Sequence, residues 1–264
     1  MNQIINRTAH LTFAQATDTG KVRNANQDAA LAFFVRQSSA AARPDFGLFA
    51  VADGMGPSPD GEKAADLGVQ VLAGCINREV YAPLSTRRMR AEELPAEQIL
   101  LEAFQETNNH LSENVPEGVT TITAALLLGG EVTIAHVGSS RAYWISKGKV
   151  EKLTHDHTMI QHLVNQGQIT AEEARNHPQR HVLYQALGQG NHIKVDTVTR
   201  RFHEEAYVLL CTDGLWLHIK EREIYETVFN AEGQVQSACD KLVTLAKLRG
   251  GVDNITAVII AHRL

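Results

Sequence analysis

Cysteine is scarce in this chain, and what there is lies scattered. Cys75, Cys211 and Cys239 are far apart, each inside an apolar pattern, and no Cys-x-x-Cys pair occurs. This spacing excludes a disulfide scaffold and a thiol-rich zinc site. It reads as three reduced core thiols in a cytoplasmic protein. Long apolar runs are also missing: none approaches 18 residues, and residues 1–7 lack the basic and apolar regions of a secretory signal, so neither a membrane span nor an export signal is expected. Positive charge is not concentrated either. The formal net charge is −5, with Lys and Arg spread along the chain, which argues against a nucleic-acid partner. Aromatics make up 6%, and without a basic groove Trp144 and Trp216 read as packing residues rather than base-stacking platforms. No internal repeat, linker or low-complexity tract interrupts the 264 residues, so residues 1–264 read as a single domain.

What the chain does have is apolar periodicity. With 44% hydrophobic residues it can bury a large core unaided. Strand-like stretches fall at residues 11–17, 28–35, 46–53, 119–128, 131–137, 141–146, 193–199, 206–212 and 255–261, several joined by Gly-rich hairpin signals. The run at 46–53 delivers Asp53 at its very end. Helical spacing appears at 62–76, 95–111, 220–229 and 237–248; residues 37–45 and 81–93 read as loops. From 154 to 190 the pattern changes to short, polar, His-rich helical pieces, placed like an insert or flap between strands, with Thr170-Ala-Glu-Glu173 as a capping box. Pattern alone predicts an α+β protein, an antiparallel sheet architecture with helices on its outer faces.

Three acidic residues share one setting. Asp53 and Asp213 each end a buried strand and precede glycine, while Asp253 precedes Asn254 and a buried strand. Oxygen ligands without nearby thiols suit a hard divalent ion, Mg²⁺ or Mn²⁺, rather than Zn²⁺; as spacing alone, three such turns fit helix and strand capping equally well. No cysteine lies in a glycine-rich phosphate loop, which speaks against a thiol nucleophile.

Taken together and in order, the motifs resemble those of the metal-dependent protein phosphatases of type 2C, the bacterial members above all. They are Gly20-Lys-Val-Arg23-Asn-Ala-Asn26-Gln27-Asp28, Val51-Ala-Asp53-Gly54-Met55-Gly56 with Gly61-Glu62, Gly118-Val-Thr120-Thr121, Val137-Gly138-Ser139-Ser140-Arg141, Leu153-Thr154-His155-Asp156-His157-Thr158, His177-Pro178-Gln179-Arg180 with Ala186-Leu187-Gly188, Cys211-Thr212-Asp213-Gly214, and Gly251-Val-Asp253-Asn254-Ile255-Thr256. The resemblance implies a sandwich of two mainly antiparallel sheets between pairs of helices, four layers in αββα order. It implies hydrolysis of phosphoserine and phosphothreonine in proteins, with Mn²⁺ or Mg²⁺ as cofactor. By the family pattern Asp53 bridges two ions, Gly54 offers its carbonyl to the second, and Asp213 and Asp253 complete the first. Asp28 holds a metal-bound water, Arg23 grips the substrate phosphate, and a metal-bridging water attacks phosphorus. The implied partners are phosphorylated proteins and a cognate serine/threonine kinase, with the chain acting as a monomer.

Three departures stand out. Ser139 replaces the family's aspartate for a third ion, so that third site is expected to be absent or weak unless Asp156 substitutes. Gln27 replaces a glutamate, and Pro57-Ser58-Pro59 stiffens the turn after Gly56. The residues His155, His157, His162, His177 and His181 read as a solvated, substrate-facing flap rather than a metal site. Two alternatives follow: a pseudophosphatase that binds phosphoproteins without hydrolysing them, and a phosphatase dedicated to one regulatory phosphoprotein.

Overall fold

The computed structural model describes residues 10–35, 45–57, 59–86, 90–175, 177–179, 181–231 and 233–263. The expectations for residues 1–7, for Ser58 and Arg180, and for all of the loop at 37–45 but Asp45 fall outside them. In chain order the elements are β1 (His10–Asp18), β2 (Asp28–Val35), β3 (Phe46–Met55), α1 (Asp60–Ile76), a π turn (Asn77–Tyr81), α2 (Ala82–Ser85), α3 (Ala96–Asn114), β4 (Val119–Leu128), β5 (Glu131–Val137), β6 (Arg141–Ser146), β7 (Lys149–Lys152), α4 (Met159–Asn165), α5 (Ala171–Arg175), β8 (Asp196–Arg201), β9 (Ala206–Cys211), α6 (Asp213–Trp216), α7 (Glu221–Val228), α8 (Val235–Leu248) and β10 (Ile255–Arg263).

Two five-stranded sheets result, with orders β1-β10-β9-β6-β7 and β2-β3-β4-β5-β8, and every pairing between neighbours is antiparallel. Three apolar clusters account for the layers. Phe49, Val51, Leu127 and Ile134 from one sheet meet Val208, Leu210, Val258 and Ile260 from the other. Leu72, Ile76, Leu100, Phe104 and Leu111 from α1 and α3 cover the outside of the first sheet. Ile224, Cys239, Leu242 and Ala246 from α7 and α8 cover the outside of the second. Strands buried on both faces read as continuous apolar runs; the burial of β4, β9 and β10 follows that pattern. The α+β, four-layer αββα sandwich expected from the motifs is the fold observed.

Four local expectations need correction. Asp53 is not the last residue of its strand: the β3–β4 ladder continues to pair Gly54 with Thr120 and Met55 with Val119. Residues 81–93 are not wholly loop, because the chain leaves α1 through the π turn and stays helical to Ser85. Buried Val80, and Tyr81 packed against Phe33 and Phe46 at ring distances of 5.4 Å, hold that turn down. The alternation at 193–199 becomes strand only from Asp196, three residues later. Asp213 opens the one-turn helix α6 instead of ending a strand.

Phe49 has no exposed surface and lies between the sheets, 5.3 Å from the Phe13 ring. Phe49→Ala is expected to cost about 3–5 kcal/mol, the usual range for an emptied aromatic site. A urea unfolding midpoint unchanged from the parent would contradict this packing.

Candidate functional site

The two sheets bring their acidic turns to the same end of the sandwich. Asp28 at the start of β2 pairs directly with Asp53 on β3. From the other sheet, β9 runs into Asp213 and β10 starts just after Asp253. The Asp53 backbone is held by threonines of β4. Its N–H donates to Thr121 Oγ1 at 3.3 Å, and its carbonyl accepts from Thr120 Oγ1 at 3.0 Å. Two glycines are required here by close backbone approach. A Cβ on Gly54 would stand 2.0 Å from the Gly61 carbonyl oxygen, and one on Gly214 would stand 2.0 Å from that of Asn254.

The carboxylates are crowded enough to oppose one another's ionisation. Burial, then the charges of Asp213 and Asp253, lifts Asp28 to about 7, although hydrogen bonds from Thr256 and Thr212 work the other way. Asp53 is pushed well above the usual carboxylate range by burial, then by Asp213, Asp28 and Asp253. The cation facing them is Arg23. Its Nη2 donates to Asp253 Oδ2 at 2.8 Å, and that bond, with the fields of Asp253, Asp53 and Asp213, raises the guanidinium's pKa.

This donor set suits a hard divalent cation. It is all oxygen, partly buried, and carries more negative charge than the Arg23 guanidinium balances, which is an unfavourable state for carboxylates withdrawn from water. Among the described residues no three acidic, His or Cys side chains are already set round one ion-sized point. Every residue expected from the sequence (Arg23, Asp28, Asp53, Gly54, Asp213 and Asp253) nevertheless lies in this one cluster.

The surroundings of Ser139 are built differently. Arg141 binds Asp156 through Nε and Nη2, the shortest contact being 2.5 Å. Its guanidinium carbon lies 3.4 Å from the centre of the Trp216 ring, and Trp216 Nε1 donates to the Ser139 carbonyl at 3.1 Å. Burial alone would raise the Asp156 carboxyl, but the hydrogen bonds and charge of Arg141 hold it below the usual range. Asp156 is therefore committed to Arg141 and, at 3.4 Å, to Lys152, and is not a free substitute for the missing carboxylate at 139.

A model described as Protein phosphatase 2C matches residues 21–247. The chain belongs to the protein phosphatase 2C family. It is 32% identical over 254 residues to the serine/threonine phosphatase stp of Listeria welshimeri, with 94% of each chain covered. Among solved structures, the S. agalactiae serine/threonine phosphatase superposes with a TM-score of 0.81 at 30% identity, covering 95% of this chain and 99% of that one. The catalytic domain of the phosphatase PstP in complex with two manganese ions gives a TM-score of 0.75 at 28% identity, covering 97% of this chain and 100% of that one.

Within this family fold, several residues that hold the site were not singled out by sequence reasoning. Asn254 is buried. Its side-chain nitrogen donates to the carbonyls of Thr19 and Ala25 at 2.9 Å, and its oxygen accepts the Gln27 N–H at 2.8 Å. One amide thus clamps the loop carrying Arg23 and Asp28 onto the turn carrying Asp253. The signal was an Asn leading directly into an apolar strand. His157 corrects the picture of a solvated histidine flap. It is 2% exposed, accepts the Gly138 N–H through Nδ1 at 3.2 Å, and meets Asp196 through Nε2 at 3.2 Å. Burial, more than its neighbours, keeps its pKa low. His181 does face the site, with Nδ1 3.6 Å from Asp213 Oδ2. A cavity of about 420 Å³ lies away from these acids, at the β7 and β8 edges.

The raised carboxyl values fix a sign for metal-free stability. Between the unfolded value, about 3.9, and about 7 for Asp28, the folded chain binds more protons than the unfolded one, so this contribution falls as pH rises through that window. Melting temperature in EDTA is expected to rise from about pH 8 to about pH 6 and to lose that slope in excess divalent ion. In EDTA, Asp53→Asn should melt higher than the parent, by on the order of 1 kcal/mol, because it removes one of the opposed charges. A lower melting point would mean the acids do not strain the metal-free fold.

Proposed function

We propose that the chain is a metal-dependent phosphatase that removes phosphate from phosphoserine and phosphothreonine in proteins. The observation that carries this reading is the half-buried cluster of Asp28, Asp53, Asp213 and Asp253 beside the Arg23 guanidinium, in a chain of the protein phosphatase 2C family. Family membership and the relatives named serine/threonine phosphatase support the substrate class. Mn²⁺ or Mg²⁺ is the cofactor the donor chemistry favours, in keeping with a related catalytic domain that binds two manganese ions.

Asp53, Asp213 and Asp253, with the Gly54 carbonyl, are the residues that would hold the metal. Two divalent ions bound there supply charge neutralisation and an activated water for in-line attack at phosphorus. Arg23, half-exposed at the rim, is free to exchange Asp253 for a substrate phosphoryl oxygen, since its fork matches phosphate and stays charged at all working pH values. Asp28 accepts from a water on the cleft side and orients it. Residues 154–190 form a flap within a single phosphatase domain. Substrates are phosphoproteins produced by a serine/threonine kinase, and free, buried Cys75, Cys211 and Cys239 suit a reducing, cytoplasmic setting for a monomer. No helix among the described residues is long and apolar enough to cross a membrane.

A pseudophosphatase would keep the phosphate grip and lose the ion ligands; Asp53, Asp213 and Asp253 are all present, so the active reading is favoured. Hydrolysis of p-nitrophenyl phosphate and a phosphothreonine peptide should depend on Mn²⁺ and cease in EDTA. Asp53→Asn should lose about a thousandfold or more in kcat/KM, and Arg23→Ala should raise KM for the peptide roughly tenfold. Full activity in Asp53→Asn would sink the assignment.

Ser139 supports a two-ion rather than a three-ion centre, because a neutral hydroxyl is a poor ligand for a hard cation and Asp156 is already engaged by Arg141. Calorimetric titration with Mn²⁺ should give two sites, with a third appearing in Ser139→Asp. Three sites in the parent chain would overturn this.

A further inference from the structure

Asp28 sits on one sheet, yet its side chain is held from the other. Thr212 and Thr256 are fully buried at the ends of β9 and β10, next to otherwise apolar runs. Thr212 Oγ1 is 2.8 Å from Asp28 Oδ2 and also accepts the Thr256 N–H at 3.0 Å. An N–H can only donate, so the Thr212 proton is directed to Asp28. The Thr256 hydroxyl acts on the same carboxylate, lowering its pKa, and lies 2.8 Å from Thr17 Oγ1. Thr17 in turn accepts from Asn26 Nδ2 at 2.8 Å. The Asn26 amide is oriented by its other end, because Oδ1 accepts the Asp28 N–H at 3.2 Å. The Asp28 N–H, Asn26, Thr17 and Thr256 thus form a chain of hydrogen bonds that leads back to the surroundings of the Asp28 carboxylate.

We propose that Thr212 and Thr256, backed by Thr17 and Asn26, are positioning residues that fix the Asp28 carboxylate for phosphate hydrolysis. This rests on the reading that Asp28 serves the reaction. A hydroxyl accepts at its lone pairs and has a single proton to give; with its lone pair engaged by an N–H, Thr212 offers the carboxylate that proton at a fixed angle. Two such donors, on a strand end of the opposite sheet, remove the rotational freedom of Asp28 and leave its remaining acceptor capacity aimed at the cleft. Valine has nearly the same shape as threonine and suits a buried strand end better. A hydroxyl at both positions is thus explained by its hydrogen bonds and not by packing.

The ring also tells the four residues apart. Thr212 cannot be altered cleanly, since its loss would strand the buried Thr256 N–H. Thr256 gives the decisive substitution. Thr17 is exposed, so water can stand in for its hydroxyl and its removal should matter less.

The test is steady-state kinetics at saturating Mn²⁺ on the full chain. Thr256→Val should lower kcat about tenfold, the scale of one hydrogen bond to a charged group, with KM for a phosphothreonine peptide within about twofold. Thr256→Ser should recover most of the rate, and Thr17→Val should lose about two- to threefold in kcat with KM likewise unmoved. In an Asp28→Asn background, Thr256→Val should have no further effect on kcat, since coupled residues are non-additive. Wild-type kcat in Thr256→Val, equal loss in Thr256→Ser, or full additivity with Asp28→Asn would each overturn the positioning proposal. If Thr256→Val fails to fold, the surface variant Thr17→Val carries the same cycle with Asp28→Asn, and additivity there overturns it as well. An Asp28→Asn variant that turns over at the parent rate would instead overturn the role of Asp28 itself, and the proposal with it.

Discussion

Four carboxylates meet where two sheets end, and most of the local structure answers the repulsion between them. A buried carboxylate without compensation costs several kcal/mol, and here Asp28 and Asp53 respond by holding their protons to unusually high pH. Arg23 relieves part of the strain through Asp253. Among the described residues the acids outnumber the cations that face them, which is why the site reads as a cation centre and not as a cluster of caps. Acids used only for capping would each face a helix N-terminus or a turn amide, with no reason to share one field.

Holding such a cluster requires ties between sheets that would otherwise separate at that end. Asn254 ties the loop of residues 19–27 to the turn before β10 with three hydrogen bonds. The threonine ring ties β2 to β9 and β10 through Asp28. On the flap side, Arg141, Asp156 and Trp216 link α6, which begins with Asp213, to the Ser139 turn. Each tie is polar and has a buried member (Asn254, Thr212 and Thr256, Asp156), so removal of its partner leaves that group unsatisfied. The apolar sandwich supplies the gross stability, and these polar ties specify where its open end lies.

Much of this was legible in the residues. The continuous apolar runs of β3, β4, β5 and β9 and the stripes of α1, α3 and α8 marked the layers, because burial on both faces or along one face leaves a plain periodicity. The Asp-Gly and Asp-Asn junctions marked the acids. What the sequence did not show has a common cause. The start of β8 at Asp196, the helical course from Asn77 to Ser85, and the burial of His157 depend on contacts with distant residues: His157 is buried because Asp196 and the Gly138 amide meet it. The Asn254 clamp and the threonine ring likewise join positions more than 200 residues apart. Local spacing carries no trace of such pairings, although a polar residue at the mouth of an apolar run was a hint in every case.

Ser139 is the departure that bears most on chemistry, and charge decides how it is read. Asp28, Asp53, Asp213 and Asp253 bring four negative charges, and Arg23 returns one. On the proposed reading, two divalent ions would bring the centre close to neutrality, and an arriving phosphate would have Arg23 to meet it. A third divalent ion would add two positive charges where the chain supplies only a buried hydroxyl and the Ser139 carbonyl, the latter already accepting from Trp216. Asp156 is engaged by Arg141 and Lys152, and freeing it would leave the Arg141 guanidinium without a carboxylate, held by Tyr143 Oη and the Trp216 ring. Breaking such a pair by removing one partner is costly. The Arg141–Asp156 pair beside the Ser139 turn therefore supports the proposed two-ion reading.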